Sequence, residues 1–210
     1  SKINNLNDYE WKYYSQHGED GIIDAIFKKI GTTNKFFVEF GVGDATECNT
    51  RYLNEFYGWD GILMDCIKTN NDRIKNVMVN AENIQNLFQE YNVPKEFDLL
   101  SIDIDSNDYW VWKAITGYKP RVVIIEYNAC FPPNESKTIF YDPDHRWDIS
   151  DYFGATLFAM VKLGKEKGYT LVGCDSSGTN AFFVLDELAA DNFISRNHYE
   201  LFFPPKFGTF

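Results

Sequence analysis

The sequence predicts an α/β protein: a doubly wound sheet of about seven strands, mostly parallel with the last strand antiparallel, and helices on both faces. Three observations predict it. Short apolar, β-branched runs alternate with amphipathic stretches along the 210 residues, as a parallel sheet covered by helices requires. Five such strand–helix pairs come in series and are followed by two strand-like runs with little between them. Hydrophobic residues make up 44% of the chain and aromatics 17%, so a single domain over 1–210 can bury its own core.

Taken in order, residues 1–35 read as an N-terminal helical cover with a helix at GIIDAIFKKI (21–30). FFVEF (36–40) is the first strand, NTRYLNEFY (49–57) the helix after it, and GILMD (61–65) the second strand. NDRIKN (71–76) reads as a short helix, NVMV (76–79) as the third strand and ENIQNLFQEY (82–91) as the next helix. FDLLSID (97–103) and RVVIIEY (121–127) are strands four and five, with a helix at DYWVWKAI (108–115) between them. The connection 128–150 is long for this architecture and carries three of the seven prolines, which marks it as a functional lid. In ISDYFGATLFAMVKLGKEKG (149–168), Phe153, Leu157, Met160, Val161 and Leu163 recur at helical spacing and Gly168 closes the helix as a C-cap. YTLVGC (169–174) and AFFVLD (181–186) complete the sheet. The aromatic C-terminal tail (191–210) is free to pack on the sheet, line the site or contact another subunit of a homo-oligomer.

A formal charge of −11 argues against a nucleic-acid binder, because phosphate affinity comes from clustered Lys and Arg. No apolar run is long enough for a membrane span and no basic-then-apolar leader follows Ser1, so a soluble, cytoplasmic location is expected; the missing initiator Met points to a trimmed start. Cys48, Cys66, Cys130 and Cys174 form no CxxC pair, which suggests neither zinc nor disulfides and leaves them as buried or semi-buried thiols.

Ligands of an open α/β sheet collect at the carboxyl ends of its strands. The first end reads Glu39-Phe40-Gly41-Val42-Gly43, where alternate glycines permit a tight turn and close backbone approach. Thr46 stands where the dinucleotide fingerprint GxGxxG needs its third glycine. Asp65 ends the second strand at the distance expected of an acid that grips ribose hydroxyls. Two acids at adjacent strand ends suit a ligand with a ribose and a cationic amino-acid portion, and S-adenosylmethionine has both. A plain turn is the bland reading of the same glycines.

This ExGxG with a following acid resembles the class I S-adenosylmethionine-dependent methyltransferases, which are Rossmann-like. More narrowly, SQHGEDGI (15–22), FFVEFGVGDATECNT (36–50), GWDGILMD, FDLLSIDIDSNDYWVW, VVIIEYN and GCDSSGTNAFFV are similar to the FkbM-like group, over about Tyr14 to Val184. The resemblance implies O-methylation of a sugar or natural product, with a nucleotide-activated sugar for surface polysaccharide as the preferred small-molecule acceptor. It implies that Glu39, Gly41 and Gly43 shape the methionine and ribose region and that Asp65 holds the ribose. It further implies that Asn49 and Thr50 meet the methionine carboxylate at a helix N-terminus, and that Gln16 closes over the cofactor. Ala45-Thr46 departs from the relatives, many of which carry a further glycine there.

A second group of acids, Asp103, Asp105 and Asp108, follows strand four, and Glu126-Tyr127-Asn128 ends strand five. Oxygens from two neighbouring strand ends suit Mg²⁺ or another divalent cation. The layout resembles metal-dependent catechol and sugar O-methyltransferases and implies Asp103, Glu126 and Asn128 as ligands, with Asp103 also beside the cofactor; here Tyr127 separates an acid and amide that are adjacent in those enzymes. The same acids can simply cap the helix at 108–115. If a base removes the acceptor's proton, His145 is the first candidate, with Asp105 and Lys113 behind it. Two other classes stay open. Asp103-Ile104-Asp105 is also the DxD of glycosyltransferases that hold a nucleotide sugar, and the fold can serve a non-catalytic binding module.

Overall fold

The computed structural model describes residues 1–206. Its strands are β1 (Phe36–Phe40), β2 (Asp60–Asp65), β3 (Ile74–Asn76), β4 (Glu96–Ile102), β5 (Lys119–Glu126), β6 (Tyr169–Cys174) and β7 (Asn180–Leu185). They form one sheet in the order β3-β2-β1-β4-β5-β7-β6. The first five are parallel, and β7 runs antiparallel between β5 and β6. The reversal is local in origin. Residues 175–179 turn on Gly178 (φ 75) while the Asp175 carboxylate accepts from the amides of Ser177 and Asn180, so β7 folds straight back along β6.

Apolar residues alternate between two covered faces, which is why these strands read as unbroken hydrophobic runs. Val38, Leu100, Val123 and Ile125 pack on one face with Phe88 of α3 (Ile84–Glu90), Trp112 of α4 (Asp108–Ala114) and Met160 of α5 (Leu157–Lys167). Phe37, Leu99, Val122 and Ile124 pack on the other, with Ile22 and Ile26 of α1 (Glu19–Ile30) and Leu53 of α2 (Arg51–Tyr57). Helices therefore cover both faces, as the sequence predicts.

The differences from expectation are at the ends of elements. Residues 71–76 do not form a helix: Asn71 Oδ1 accepts from the Arg73 amide and Thr69 Oγ1 from the Asn71 amide, local bonds that compete with a helical ladder. The chain goes directly into β3, which starts two residues before NVMV and ends three residues before its expected end. α5 begins at Leu157 and not near Ile149, because Gly154 (φ 56) and Ile149 (φ 72) break the pattern and Thr156 supplies the cap, its hydroxyl accepting from the Ala159 amide at 3.3 Å. Gly168 (φ 87) ends it in the left-handed region, where the C-cap was expected. Two unexpected helices follow the last strand, α6 (Asp186–Asn192), which runs into the start of the tail, and α7 (His198–Leu201) within it; the tail's last part, 207–210, lies outside the described residues. Of the thiols, Cys48 and Cys174 are buried, whereas Cys66 and Cys130 are exposed. No helix among the described residues is long and apolar enough to cross a membrane.

Candidate active site

Strand order reverses between β1 and β4, so their carboxyl ends open a crevice with loops departing in opposite directions. Gly41 makes the floor. Its amide donates to the Met64 carbonyl at 3.0 Å, and a Cβ added there would lie 1.5 Å from the Asp103 carbonyl oxygen. Gly43 (φ 60) has open space above it. The loop then turns through Ala45, whose φ of 67 is left-handed and whose amide donates to the Val42 carbonyl. An alanine thus occupies a conformation that glycine adopts freely, at the point where the sequence departs from its resemblance.

The acids of this region fall into two groups. Glu39, 3% exposed, accepts from the amides of Asn49 and Thr50 and the hydroxyls of Thr50 and Ser101, at 2.8 to 3.2 Å. Burial raises its pKa and these bonds to the ionised form oppose the rise. Asp65 accepts from the amides of Gly43 and Ile67, both at 2.8 Å, and ties the glycine loop to the end of β2. Asp108 accepts from the amides of Ile104 and Ser106, and burial pushes its pKa up to about 7. These acids hold the loops together.

Three others are left open. A carboxylate oxygen from each of Asp103, Asp105 and Glu126 lies within 4.8 Å of the other two. Asp103 Oδ1 and Glu126 Oε1 are buried without a hydrogen-bond partner. Burial raises the pKa of both, and the neighbouring carboxylates, Asp105 for Asp103 and Asp103 for Glu126, raise them further. Such a group stays together by taking up protons or by holding a cation, and two bare buried oxygens fit a divalent ion.

Two cavities share Gly41, Gly43, Asp103 and Asp105 as a common wall. One, of about 370 Å³, is largely apolar: Phe40, Met64, Ile67, Val79, Ile104 and Trp147 line it, with Asp65 at its edge. The other, of about 240 Å³, is polar and contains Gln16, Glu19, Glu39, Asp44, Asn49 and Asn180. Arg146 is the one cation among the described residues that line either of them.

Measured against expectation, Gln16, Glu39, Gly41, Gly43, Asn49, Asp65, Asp103 and Asp105 all border this crevice. Asn49 and Thr50 need correction, because their amides are consumed by Glu39 and are not open to a ligand carboxylate. Asn128 also needs correction. Its amide donates to the carbonyls of Asp151 and Phe153 and its Oδ1 accepts from the Cys130 amide, so it braces the 128–156 loop while Asp105 stands as third acid in the cluster. Lys113 is exposed, with its ammonium over the rings of Tyr109 and Trp110 at 5.8 and 5.6 Å, and lines neither cavity. His145 packs edge-on to Tyr152 at 5.4 Å; its neighbours Arg146 and Trp147 are the ones that line the apolar cavity. Glu19 and Asn180 were missed as site residues although both stand in quoted motifs, because nothing in a sequence distinguishes a bare buried oxygen from a bonded one.

No protein-family model matches the chain, and no curated protein sequence matches it. Solved structures resemble it in chain path. The MycE methyltransferase of the mycinamycin biosynthetic pathway, solved with Mg, SAH and mycinamycin VI, aligns over 77% of this chain and 48% of its own, at 17% identity and a TM-score of 0.47. The small RNA methyltransferase HEN1 aligns over 78% of this chain and 24% of its own, at 14% identity and a TM-score of 0.45. A S-adenosylmethionine-dependent methyltransferase from Clostridium acetobutylicum ATCC 824 aligns over 80% of this chain and 90% of its own, at 11% identity and a TM-score of 0.41. The chain spans less than half the length of the first two. Likeness at this level speaks to no residue of the site.

Proposed function

We propose that the chain is a S-adenosylmethionine-dependent O-methyltransferase acting on a sugar hydroxyl with the help of a divalent cation. The observation that carries the reading is the two-sided crevice. An apolar cavity edged by the acid of β2 suits a nucleoside, and it shares Gly41 and Gly43 with a polar, acidic cavity suited to a cationic amino-acid portion. When bound, S-adenosylmethionine supplies an electrophilic methyl: the hydroxyl oxygen attacks the methyl carbon, the C–O bond forms as the C–S bond breaks, S-adenosylhomocysteine leaves and the hydroxyl proton passes to water. Gly41 and Gly43 leave room for the cofactor to approach the backbone, Asp65 is positioned to accept from ribose hydroxyls, and the acidic lining favours a positively charged sulfonium. Asp103, Asp105 and Glu126 would hold the cation, whose chemistry is to stabilise the acceptor's alkoxide. The sugar acceptor rests on the FkbM-like resemblance alone, and the 128–150 segment is its proposed lid.

Titration calorimetry with S-adenosylmethionine and S-adenosylhomocysteine, with and without magnesium, tests the reading. Binding at micromolar to millimolar concentration is expected, and none in either condition sinks it. The DxD glycosyltransferase remains a second reading because Asp103 and Asp105 share the cation cluster. The acidic crevice, with Arg146 as its one lining cation among the described residues, opposes a diphosphate. Protection by a nucleoside diphosphate with Mn²⁺, and not by S-adenosylhomocysteine, would reverse that judgement.

A further inference from the structure

Two bare oxygens on the polar side of the crevice belong to neither the cation cluster nor the glycine loop. Glu19, the first residue of α1, is 2% exposed, and Asn180, the first residue of β7, is 3% exposed. Asn180 Nδ2 donates to Glu19 Oε2 at 3.2 Å, which fixes how the amide is turned. With Glu19 ionised, Glu19 Oε1 and Asn180 Oδ1 are both acceptors, both buried and both without a partner, in side chains that line the same cavity.

The surrounding acids do not explain the pair. Asp175 accepts from the amides of Ser177 and Asn180 and from the Ser177 hydroxyl, and Asp20 Oδ2 accepts from the amides of Tyr13, Tyr14 and Ser15 at 2.7 to 2.9 Å. Those two fasten loops and do not line the cavity, although Asp20 Oδ1 is also without a partner. Glu19 and Asn180 line the cavity, and each holds an oxygen closed off from water and bonded to nothing, which costs free energy in a folded protein. The space wants a donor. Its other acidic walls, Glu39, Asp44, Glu47, Asp103 and Asp105, favour a donor that carries a positive charge. A divalent ion takes six or more oxygens, more than this pair offers, whereas a primary ammonium has three N–H groups and no acceptor.

We infer that Glu19 and Asn180 form the receptor for a primary ammonium, the α-amino group on the amino-acid portion of the cofactor. This rests on the proposed function, in which the nucleoside occupies the Asp65 side of Gly41 and Gly43 and the amino-acid end extends to the Glu19 side. Burial, with Asp175 adding to it, pushes the Glu19 pKa up to about 8, so an arriving ammonium displaces a proton as well as filling the gap.

The test compares S-adenosylhomocysteine with its deaminated analogue, in which hydrogen replaces the amino group, by calorimetry on the wild type, Glu19→Gln and Asn180→Ala. Unliganded melting temperatures confirm that each variant is folded. The wild type should prefer the amino ligand by roughly 10- to 100-fold, the worth of a charge-assisted hydrogen bond or two. Glu19→Gln should erase most of that preference while binding the deaminated analogue as the wild type does, and Asn180→Ala should weaken the preference in the same sense. A preference that survives both substitutions overturns the inference, as does an equal loss for both ligands. Wild-type protein that binds both ligands equally overturns the inference and leaves the cofactor reading standing. Wild-type protein that binds neither overturns the cofactor reading and the inference with it.

Discussion

Gly41 and Gly43 stand two residues apart and are required for different reasons. At Gly41 (φ 75) a side chain would overlap the backbone of Asp103, so β1 and β4 would have to separate at the crevice floor. Gly41→Ala is expected to cost about 3 kcal/mol or more, from overpacking plus left-handed strain, and denaturant melts would read it. At Gly43 only the positive φ is against alanine, about 1–2 kcal/mol, but the new methyl would stand in the open space of the crevice. Gly43→Ala should therefore fold and lose most of its affinity for S-adenosylhomocysteine; unchanged affinity would mean that the loop is a turn and nothing more. Ala45 is the converse case. It holds φ 67 without a glycine, so Ala45→Gly should gain up to about 1 kcal/mol after the entropy glycine adds to the unfolded chain, seen as a higher melting temperature.

The link from β1 to α2 is made by one side chain. Glu39 reaches from the strand into the turn before the helix and occupies the amides of Asn49 and Thr50, which a helix of 7 residues would otherwise leave without partners. Glu39→Gln replaces one acceptor oxygen by an NH₂ that must face another donor, and a loss of about 2–4 kcal/mol is expected, a lower cost being evidence that the carboxyl is already protonated. This arrangement also shows where sequence reading reached its limit. The strand with its acid and the helix that follows were all legible, because periodicity and turn residues report on local structure. Whether the carboxylate faces a ligand or the chain's own amides depends on side-chain direction, which pattern does not record. The same gap explains the short helix expected over 71–76 that became a turn and β3, and the helix start displaced from Ile149 to Leu157: in both places local side-chain bonds and left-handed residues outweighed apolar spacing. Asn128 was legible as a polar residue at the end of β5, and its commitment to the carbonyls of Asp151 and Phe153 was not.

Across the whole molecule the two ends of the sheet treat buried acids differently. At the amino end, Asp98 is fully satisfied, accepting from Thr33 and Lys35 and pairing with Arg121 at 3.2 Å. At the carboxyl end, Glu19, Asp103 and Glu126 each keep a bare oxygen on a chain whose formal charge is already −11. Folding there brings negative charges together without supplying their counter-charges, which sets a pH dependence of definite sign. Glu19, with an ordinary value of 4.5 and a folded value of about 8, binds a proton in the folded state that the unfolded chain has released at neutral pH. Asp108, Asp103 and Glu126 are shifted in the same direction. Their contribution to stability is complete below their unfolded values and is lost as pH rises through the folded ones. In the presence of a chelator, the melting temperature is therefore expected to fall steadily between about pH 5 and pH 8.5. A divalent cation at the Asp103–Asp105–Glu126 cluster replaces those protons, so manganese or magnesium should raise the melting temperature more at pH 8 than at pH 5.5, and more than monovalent salt of equal ionic strength. The Asp103→Asn, Glu126→Gln double variant should reduce the pH dependence to the part that Glu19 and Asp108 supply, and abolish the cation effect. A melting temperature that rises over this range, or a cation effect that the double variant keeps, would mean that these carboxylates are neutralised by some other part of the fold.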